Sequence, residues 1–282
     1  MKEGTLFVVA TPIGNLGDLS PRAREVLAAV DLIAAEDTRV TGRLLSHFGI
    51  KKRQMALHEH NEEAMLGKLL HILREGNSIA LVSDAGTPSI SDPGYRLLRC
   101  AHAAGISVAP VPGASALIAA LSASGLPTDR FTFEGFLPAK KAARQMRLQA
   151  LAGESRTLVF YESVHRIAAS IDDMVAILGA DRFAFIGREL TKLHEQCVTA
   201  NLATLAGMLA DGTITAKGEF VVAVEGSSEP AGEEAGISAD NLLAELVGVL
   251  PGKQAVEIVA RICGKQRNEL YQKMLDLKAE KP

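Results

Sequence analysis

The feature that most limits the fold of this chain is a recurring pattern. Short apolar runs break into loops of Gly, Pro, Ser and Asp, and each loop leads into a helical segment. The runs are Thr5 to Ala10, Asp31 to Asp37, Gln54 to His58, Ser78 to Asp84 and Ile106 to Val111. A continuous apolar run of this length fits a strand buried on both faces, which in soluble proteins means a parallel sheet covered by helices. The intervening segments carry helix punctuation. Ser20-Pro21 reads as an N-cap followed by Pro at the first helical position. Thr38 to Phe48 ends at Gly49, Asn61 caps a helix that Gly76 closes, and Asp92-Pro93 opens one that Gly105 closes. The expectation is a mostly parallel sheet with helices on both faces.

A helix after Pro112 to Ala116 breaks at Gly125 to Asp129, and a second strand-rich unit follows. Its expected strands are Phe131 to Gly135, Arg156 to Glu162, Arg182 to Leu190, His194 to Thr199 and Glu219 to Gly226. The later ones have little helix between them, so part of this sheet should be antiparallel. The segments expected are an N-terminal α/β domain at 1–117, a second at 118–226, a Gly/Ser/Glu/Pro linker at 227–237 and a helical tail at 238–282. In the tail Ser238 is the expected cap, and two helices joined at Gly264 suggest a helix-turn-helix.

Charge and cysteine usage limit the function classes. Formal net charge is −3, without the whole-chain basic bias usual in nucleic-acid binders, although a local patch suffices for binding. The tail, with Lys253, Arg261, Lys265, Arg267, Lys273 and Lys278, is locally basic. Three cysteines, widely spaced and without a CxxC pair, argue for free thiols in a reducing compartment. His58, His60, His165 and His194 lack an HExxH-type spacing, so no metal is expected. The N-terminal apolar run is too short for a signal peptide, and no stretch reaches the roughly 20 apolar residues of a membrane helix. A cytoplasmic location follows as the expectation.

Three loops at strand ends are candidates for ligand binding, because open α/β sheets bind ligands there. They are Thr11 to Asp18 (TPIGNLGD), Ser83 to Gly94 (SDAGTPSISDPG) and Val111 to Ala116 (VPGASA). Any one of them can be a plain strand-to-helix turn. The second is far longer than the roughly 2–6 residues usual in α/β crossovers. No GxGxxG after a strand, no GxxxxGK[ST] and no GxSxG occurs, which weakens nicotinamide, ATP and α/β-hydrolase readings. Charged groups collect at other strand ends: Glu36, Asp37, Arg39 and Arg43; Tyr161, Glu162, His165 and Arg166; Arg188, Glu189, Lys192, His194 and Glu195. Each taken singly also suits a solvated or salt-bridged role. Lys140, Lys141, Arg144 and Arg147 form either a solvated helix face or a phosphate-contact strip.

TPIGNLGD, AAEDTR, SDAGTPSISDPG, VPGASA, EGFLP, FYESVHR, RELTKLHE and GEFVVAVEG occur in this order. Together they resemble the ribosomal RNA small-subunit methyltransferase I family, within the tetrapyrrole-methylase (class III methyltransferase) fold. The resemblance covers about Gly4 to Gly226, and the helical tail also matches. It implies two α/β domains of the tetrapyrrole-methylase type with S-adenosyl-L-methionine in the cleft between them, and a homodimer. It also implies 2′-O-methylation of a cytidine ribose in the decoding centre of 16S rRNA within the small ribosomal subunit. Carried over by motif, the cofactor contacts are Pro12, Ser83, Asp84, Thr87, Ser115 and Ala116, with Tyr161, Glu162 and Gly218 as further contributors. Where tetrapyrrole enzymes carry a GDP triplet this chain has Ser83-Asp84-Ala85, which favours RNA over a porphyrin-type substrate. Glu36, Asp37, Glu162 and His165 are the candidate bases. Arg39, Arg43 and Lys192 are candidates for holding phosphates or stabilising an alkoxide. The alternatives are a methyltransferase for a tetrapyrrole-like small molecule and a non-catalytic cofactor-binding ribosome factor.

Overall fold

The computed structural model describes residues 4–228 and 239–279. Ser238 and most of the expected linker lie outside the described residues. Two compact units are distinguished, one carrying both sheets and the other the C-terminal helices.

The first sheet consists of β1 (Thr5–Val9), β2 (Leu32–Ala35), β3 (Gln54–Ala56), β4 (Ile79–Val82) and β5 (Ser107–Val111), in the order β3-β2-β4-β1-β5. Every pairing is parallel. The central strands β2 and β4 are apolar and buried throughout because each face packs on helices, whereas the edge strands β3 and β5 are partly exposed. Alternate residues separate: Leu32, Ala34, Ile79 and Leu81 join one core. Ile33, Ala35, Ala80 and Val82 join the other. The first core is completed by α3 (Glu62–Arg74) and α4 (Tyr95–Ala103) through Leu69, Leu73, Leu97 and Ala101. The second is completed by α1 (Pro21–Ala29) and α2 (Thr38–His47) through Ala23, Leu27 and Leu45.

This arrangement creates a topological switch. From β1 the chain crosses toward β2 and β3 over one face, and from β4 it crosses back toward β5 over the other. The connections after β1 and β4 therefore diverge and leave a crevice at the carboxyl ends of these neighbouring strands.

Local signals set several boundaries. The Ser20 Oγ accepts from the Ala23 N–H at 3.1 Å and caps α1. Asn61 does not cap α3 with its side chain. It accepts from the His58 N–H at 2.8 Å and donates to the Ala56 carbonyl at 3.0 Å, so it folds the turn before the helix. Nor does Asp92-Pro93 open α4, which starts at Tyr95 after Gly94 with φ 123°. That φ is not helical, and a Cβ at Gly94 would meet Leu81 Cδ2 at 2.7 Å. The first turn of α4 is satisfied instead by buried Glu62 of α3, whose Oε1 accepts from the Arg96 and Leu97 N–H groups at 3.0 and 3.2 Å. Asp92 is thereby left without a capping role.

After α5 (Ala116–Ser124) the second sheet is built from β6 (Phe131–Phe136), β7 (Thr157–Ser163), β8 (Phe183–Arg188), β9 (Gln196–Asn201) and β10 (Glu219–Val224). Its order is β6-β7-β10-β8-β9. Only β6 and β7 run parallel; β10 is antiparallel to both β7 and β8, as β9 is to β8. Helix α5 packs Leu117, Ala120 and Leu121 against Val159, Phe185, Val221 and Ala223 of this sheet. The connections α6 (Lys141–Leu151), α7 (Ile167–Leu178) and α8 (Leu202–Ala210) complete it.

In the other unit α9 (Ala239–Val249), α10 (Gly252–Cys263) and α11 (Arg267–Ala279) enclose a small core of Leu243, Ala255, Val256, Val259, Leu270 and Met274. Gly264, at φ 66°, makes the left-handed turn between α10 and α11. Among the described residues no helix is long and apolar enough to cross a membrane. Among them, no cluster of three or more His, Cys, Asp and Glu suits a metal ion.

Candidate active site

The ends of β1 and β4 are joined by a reciprocal backbone pair. The Thr11 N–H donates to the Gly86 carbonyl at 2.9 Å and the Gly86 N–H to the Thr11 carbonyl at 3.1 Å. The Thr11 hydroxyl adds a bond to the Ser83 carbonyl at 3.2 Å. The third loop is fastened to the second, since the Thr87 hydroxyl donates to the Ala114 carbonyl at 3.1 Å. It also approaches the first closely, because a Cβ at Gly113 would lie 2.9 Å from the Ala10 Cβ. The three glycine- and proline-rich loops thus form one rim.

Beside this rim lies a cavity of about 480 Å3. Ile13, Gly86, Thr87, Asp92, Ser115 and Ala116 line it from the first sheet's loops and the start of α5. Phe136, Tyr161, Glu162, Leu190, Lys192, Gly218 and Phe220 line it from the second sheet's side. Tyr161 is wedged edge-on between Phe133 and Phe136, at centroid distances of 4.9 and 5.7 Å. Ser115 makes no side-chain cap bond, and in the first turn of α5 the Leu117 N–H is engaged by the Tyr161 hydroxyl.

The two sides also meet directly. The Asn15 N–H donates to the Thr191 hydroxyl at 3.2 Å. A Cβ on Gly14 would come within 2.3 Å of Lys192 Cγ, so only glycine admits the lysine stem here. Lys192 is then held by two carboxylates, Glu189 at 2.9 Å and Glu219 at 2.8 Å. Burial works to lower the ammonium pKa, but the bonds to Glu219 and Glu189 outweigh it and the lysine is held above its usual range. Glu189 sits at φ 48° and Thr191 at φ 68°, left-handed conformations that shape this loop.

The candidate residues from the sequence separate into groups. Thr87, Ser115, Ala116, Tyr161, Glu162, Gly218 and Lys192 line the cavity. Pro12, Ser83 and Asp84 do not line it; they flank the lining residues Ile13 and Ala85. Glu36, Asp37 and Asp84 interlock, with the Asp37 N–H donating to Asp84 Oδ1 at 3.0 Å and the Asp84 N–H to Glu36 Oε2 at 3.2 Å. Burial raises the carboxyl pKa of Glu36 and of Asp84. Arg39, with 83% of its side chain exposed, grips Asp37, and this side-chain bond holds the Asp37 carboxyl down at about 2. His165 is exposed and away from the cavity lining.

Glu162 reaches the cavity wall but is fully engaged. It accepts from the Ser163 N–H at 2.8 Å and the Ser170 hydroxyl at 2.6 Å, and pairs with Arg166 at 3.0 Å. That geometry positions the end of β7 and the start of α7. The basic group at the start of α6 is partly internal too: Arg144 is buried against Asp173 at 2.7 Å, and Arg147 pairs with Glu134. Lys140 and Lys141 remain exposed.

Sequence reasoning placed Asp92 within the second candidate loop and at a helix start, without singling it out as a site residue, yet it lines the cavity. Burial pushes its carboxyl up to about 6, opposed by a bond from Ser83 and reinforced by Glu36 and Asp84. A second aspartate within an overlong loop was the available signal. The apolar wall of Ile13, Leu190, Phe220 and Val221 was not legible, because these residues come from three separate segments.

The chain matches the family model described as Tetrapyrrole (Corrin/Porphyrin) Methylases over residues 5–206. It matches a second, described as RsmI C-terminal HTH domain, over residues 233–278. It is 54% identical over 269 residues to a Xylella fastidiosa (strain Temecula1) protein named ribosomal RNA small subunit methyltransferase I, covering 95% of this chain and 98% of that one. A Pseudomonas aeruginosa protein of the same name is 53% identical over 276 residues, covering 98% of each. Among solved structures, uroporphyrin-III-C-methyltransferase from Thermus thermophilus aligns with a TM-score of 0.56 at 19% identity, over 79% of this chain and 94% of that one, a likeness of fold.

Two outcomes test the geometry. Gly212 and Gly218 both have positive φ, but a Cβ meets nothing at Gly212 and the Glu189 carboxylate carbon at 2.4 Å at Gly218. Gly212→Ala is expected to cost about 1 kcal/mol for its backbone conformation, and Gly218→Ala roughly 1–3 kcal/mol more for the clash. Urea unfolding of the two variants reads the difference, and equal losses would contradict the close approach. For Asp92, the folded state holds the proton more tightly than the unfolded chain. Its stabilising contribution is therefore full below its ordinary value of 3.8 and lost as pH rises through about 6. Asp92→Asn is expected to flatten part of the fall in urea midpoint across that window, and an unchanged profile would contradict the burial of this carboxyl.

Proposed function

This chain belongs to the tetrapyrrole (corrin/porphyrin) methylase family, and we propose that it methylates small-subunit ribosomal RNA with S-adenosyl-L-methionine as donor. The acceptor in this reading is the 2′-hydroxyl of a cytidine ribose in the decoding centre of 16S rRNA. The protein acts as a cytoplasmic homodimer on the small ribosomal subunit. The observation that carries the reading is the cavity at the switch between β1 and β4, walled by loops from both sheets. Two features beyond it support the RNA substrate. The named relatives are alike over nearly the whole chain, and the tail separately matches the model of a C-terminal domain.

The cavity residues fit such a donor. Its volume of about 480 Å3 falls within the roughly 300–1,000 Å3 typical of small-molecule sites. Ile13, Leu190, Phe220 and Val221 offer an apolar wall for a purine. Thr87 and Ser115 offer hydroxyl groups beside the N-terminal end of α5, whose dipole suits a carboxylate. When bound, the donor supplies an already activated methyl group: its C–S bond breaks with the electron pair left on sulfur, a C–O bond forms, and the hydroxyl proton is released.

The chain's own contribution is alignment, exclusion of water and local charge. Lys192, held at the cavity wall by Glu189 and Glu219 with its charge balanced, is placed to orient the acceptor hydroxyl through its remaining N–H. Glu162 acts as a positioning residue through Ser170 and Arg166. Pro12, Ser83 and Asp84 shape the rim, and Glu36 and Asp37 brace Asp84. Arg39, exposed beside this brace, suits an RNA phosphate. Exposed Lys253 and Arg261 on the tail suit the same backbone.

The test uses labelled donor and small ribosomal subunits from a strain lacking this chain, followed by mapping of ribose methylation. Label at one cytidine ribose of 16S rRNA is expected; label on tetrapyrrole but not RNA, or on neither, would overturn the reading. Arg39→Ala is expected to lower kcat/KM for RNA about tenfold, the scale of one lost charge-assisted contact, while donor affinity by calorimetry stays within about twofold. Equal losses in both would show that Arg39 serves the donor site instead.

A further inference from the structure

The charged groups lining the cavity are unequally matched. Lys192 is neutralised by Glu189 and Glu219, and Glu162 by Arg166 with two further donors. Asp92 differs: among the described residues no cation pairs with it. The groups that face it are Ser83 and Asp84 from the loop after β4, Glu36 from the end of β2, and Tyr161 from β7. None of these is cationic, and two are further carboxylates. Its release from helix capping has the cause already given: Glu62 satisfies the first turn of α4 and Gly94 turns the chain before it.

An unpaired carboxylate in a half-buried setting that already holds two further carboxylates lowers the energy of a cation placed beside it. Methyl transfer changes the charge of the ligand in this cavity. The donor carries a sulfonium cation, and once its C–S bond has broken the product is a neutral thioether of nearly the same shape. Shape and hydrogen bonding hold both alike; charge separates them.

We propose that Asp92 is a charge-selective residue of the cavity, favouring the sulfonium donor over its thioether product and so assisting exchange of product for donor. The proposal rests on the reading of the cavity as an S-adenosylmethionine site. It adds a discrimination that a residue merely shaping the pocket would not confer. Since burial pushes the Asp92 carboxyl up to about 6, the preference is pH-dependent. The negative charge is present at pH 7 and largely lost at pH 5, so donor affinity falls on acidification while product affinity does not. Both ligands carry the same amino acid group, and its titration cancels in their affinity ratio.

Calorimetric titration of the full chain with S-adenosylmethionine and, separately, S-adenosylhomocysteine at pH 5 and pH 7 tests this. For the wild-type chain the ratio of donor to product affinity is expected to fall about tenfold from pH 7 to pH 5, the effect of one charge removed. For Asp92→Asn the donor is expected to bind about tenfold more weakly at pH 7, the product within about twofold of wild type, and the ratio to be flat with pH. Parallel losses for both ligands, or a wild-type ratio that does not move with pH, would overturn the proposal. Should Asp92→Asn misfold, Asp92→Ser takes its place in the same titrations, since Glu36 and Asp84 also titrate upward and only a variant assigns the effect to Asp92. Binding of both ligands without charge preference defeats only this proposal, whereas binding of neither defeats the donor reading as well.

Discussion

The reciprocal Thr11–Gly86 backbone pair is the constraint on which the site depends. β1 and β4 are neighbours in a parallel sheet, but their outgoing connections run over opposite faces. Without a tie between them, two loops leaving in opposite directions would splay apart. The pair keeps both at the crevice, and the Thr87–Ala114 bond adds the third loop to the same rim. Backbone groups do most of this work, which explains the loop composition: Gly86 at φ 83° leaves its peptide free to face Thr11.

The opposite wall is fitted by close approach as well as by bonding. Gly14 gives way to the stem of Lys192, and Gly218 to the Glu189 carboxylate. The lysine is thereby set at the cavity wall with its charge balanced. A paired lysine and an unpaired aspartate in the same cavity give it net negative character despite the cation. In an apolar-walled space such an imbalance acts on the ligand with little screening.

Much of the architecture was legible because it follows from periodicity. The apolar runs without alternation identified the strands, with burial on both faces complete for β2 and β4 but not for β3 and β5 at the sheet edges, and the sparse helices after Arg182 identified the antiparallel part of the second sheet. The ordered motifs resembling a methyltransferase family agree with the family match and with relatives about half identical over nearly the full length. Caps were less legible. Asn61 and Asp92 are both residue types that favour helix starts, but each was diverted. The competitors were a turn bond to His58 in one case, and Glu62 reaching across from a neighbouring helix in the other.

The sequence by itself determined the strand and helix segments, the class of both sheets and the loops that border the cavity, because these depend on local patterning and on residue types suited to tight bends. Only the tertiary structure decided which charged side chains face the cavity and which are spent elsewhere. Glu162 and Arg144 proved internally paired, Lys192 doubly anchored and Asp92 unpaired. The physical reason is that an ionisable group's role is set by its partners and its burial, and here those partners come from strands and loops far apart along the chain.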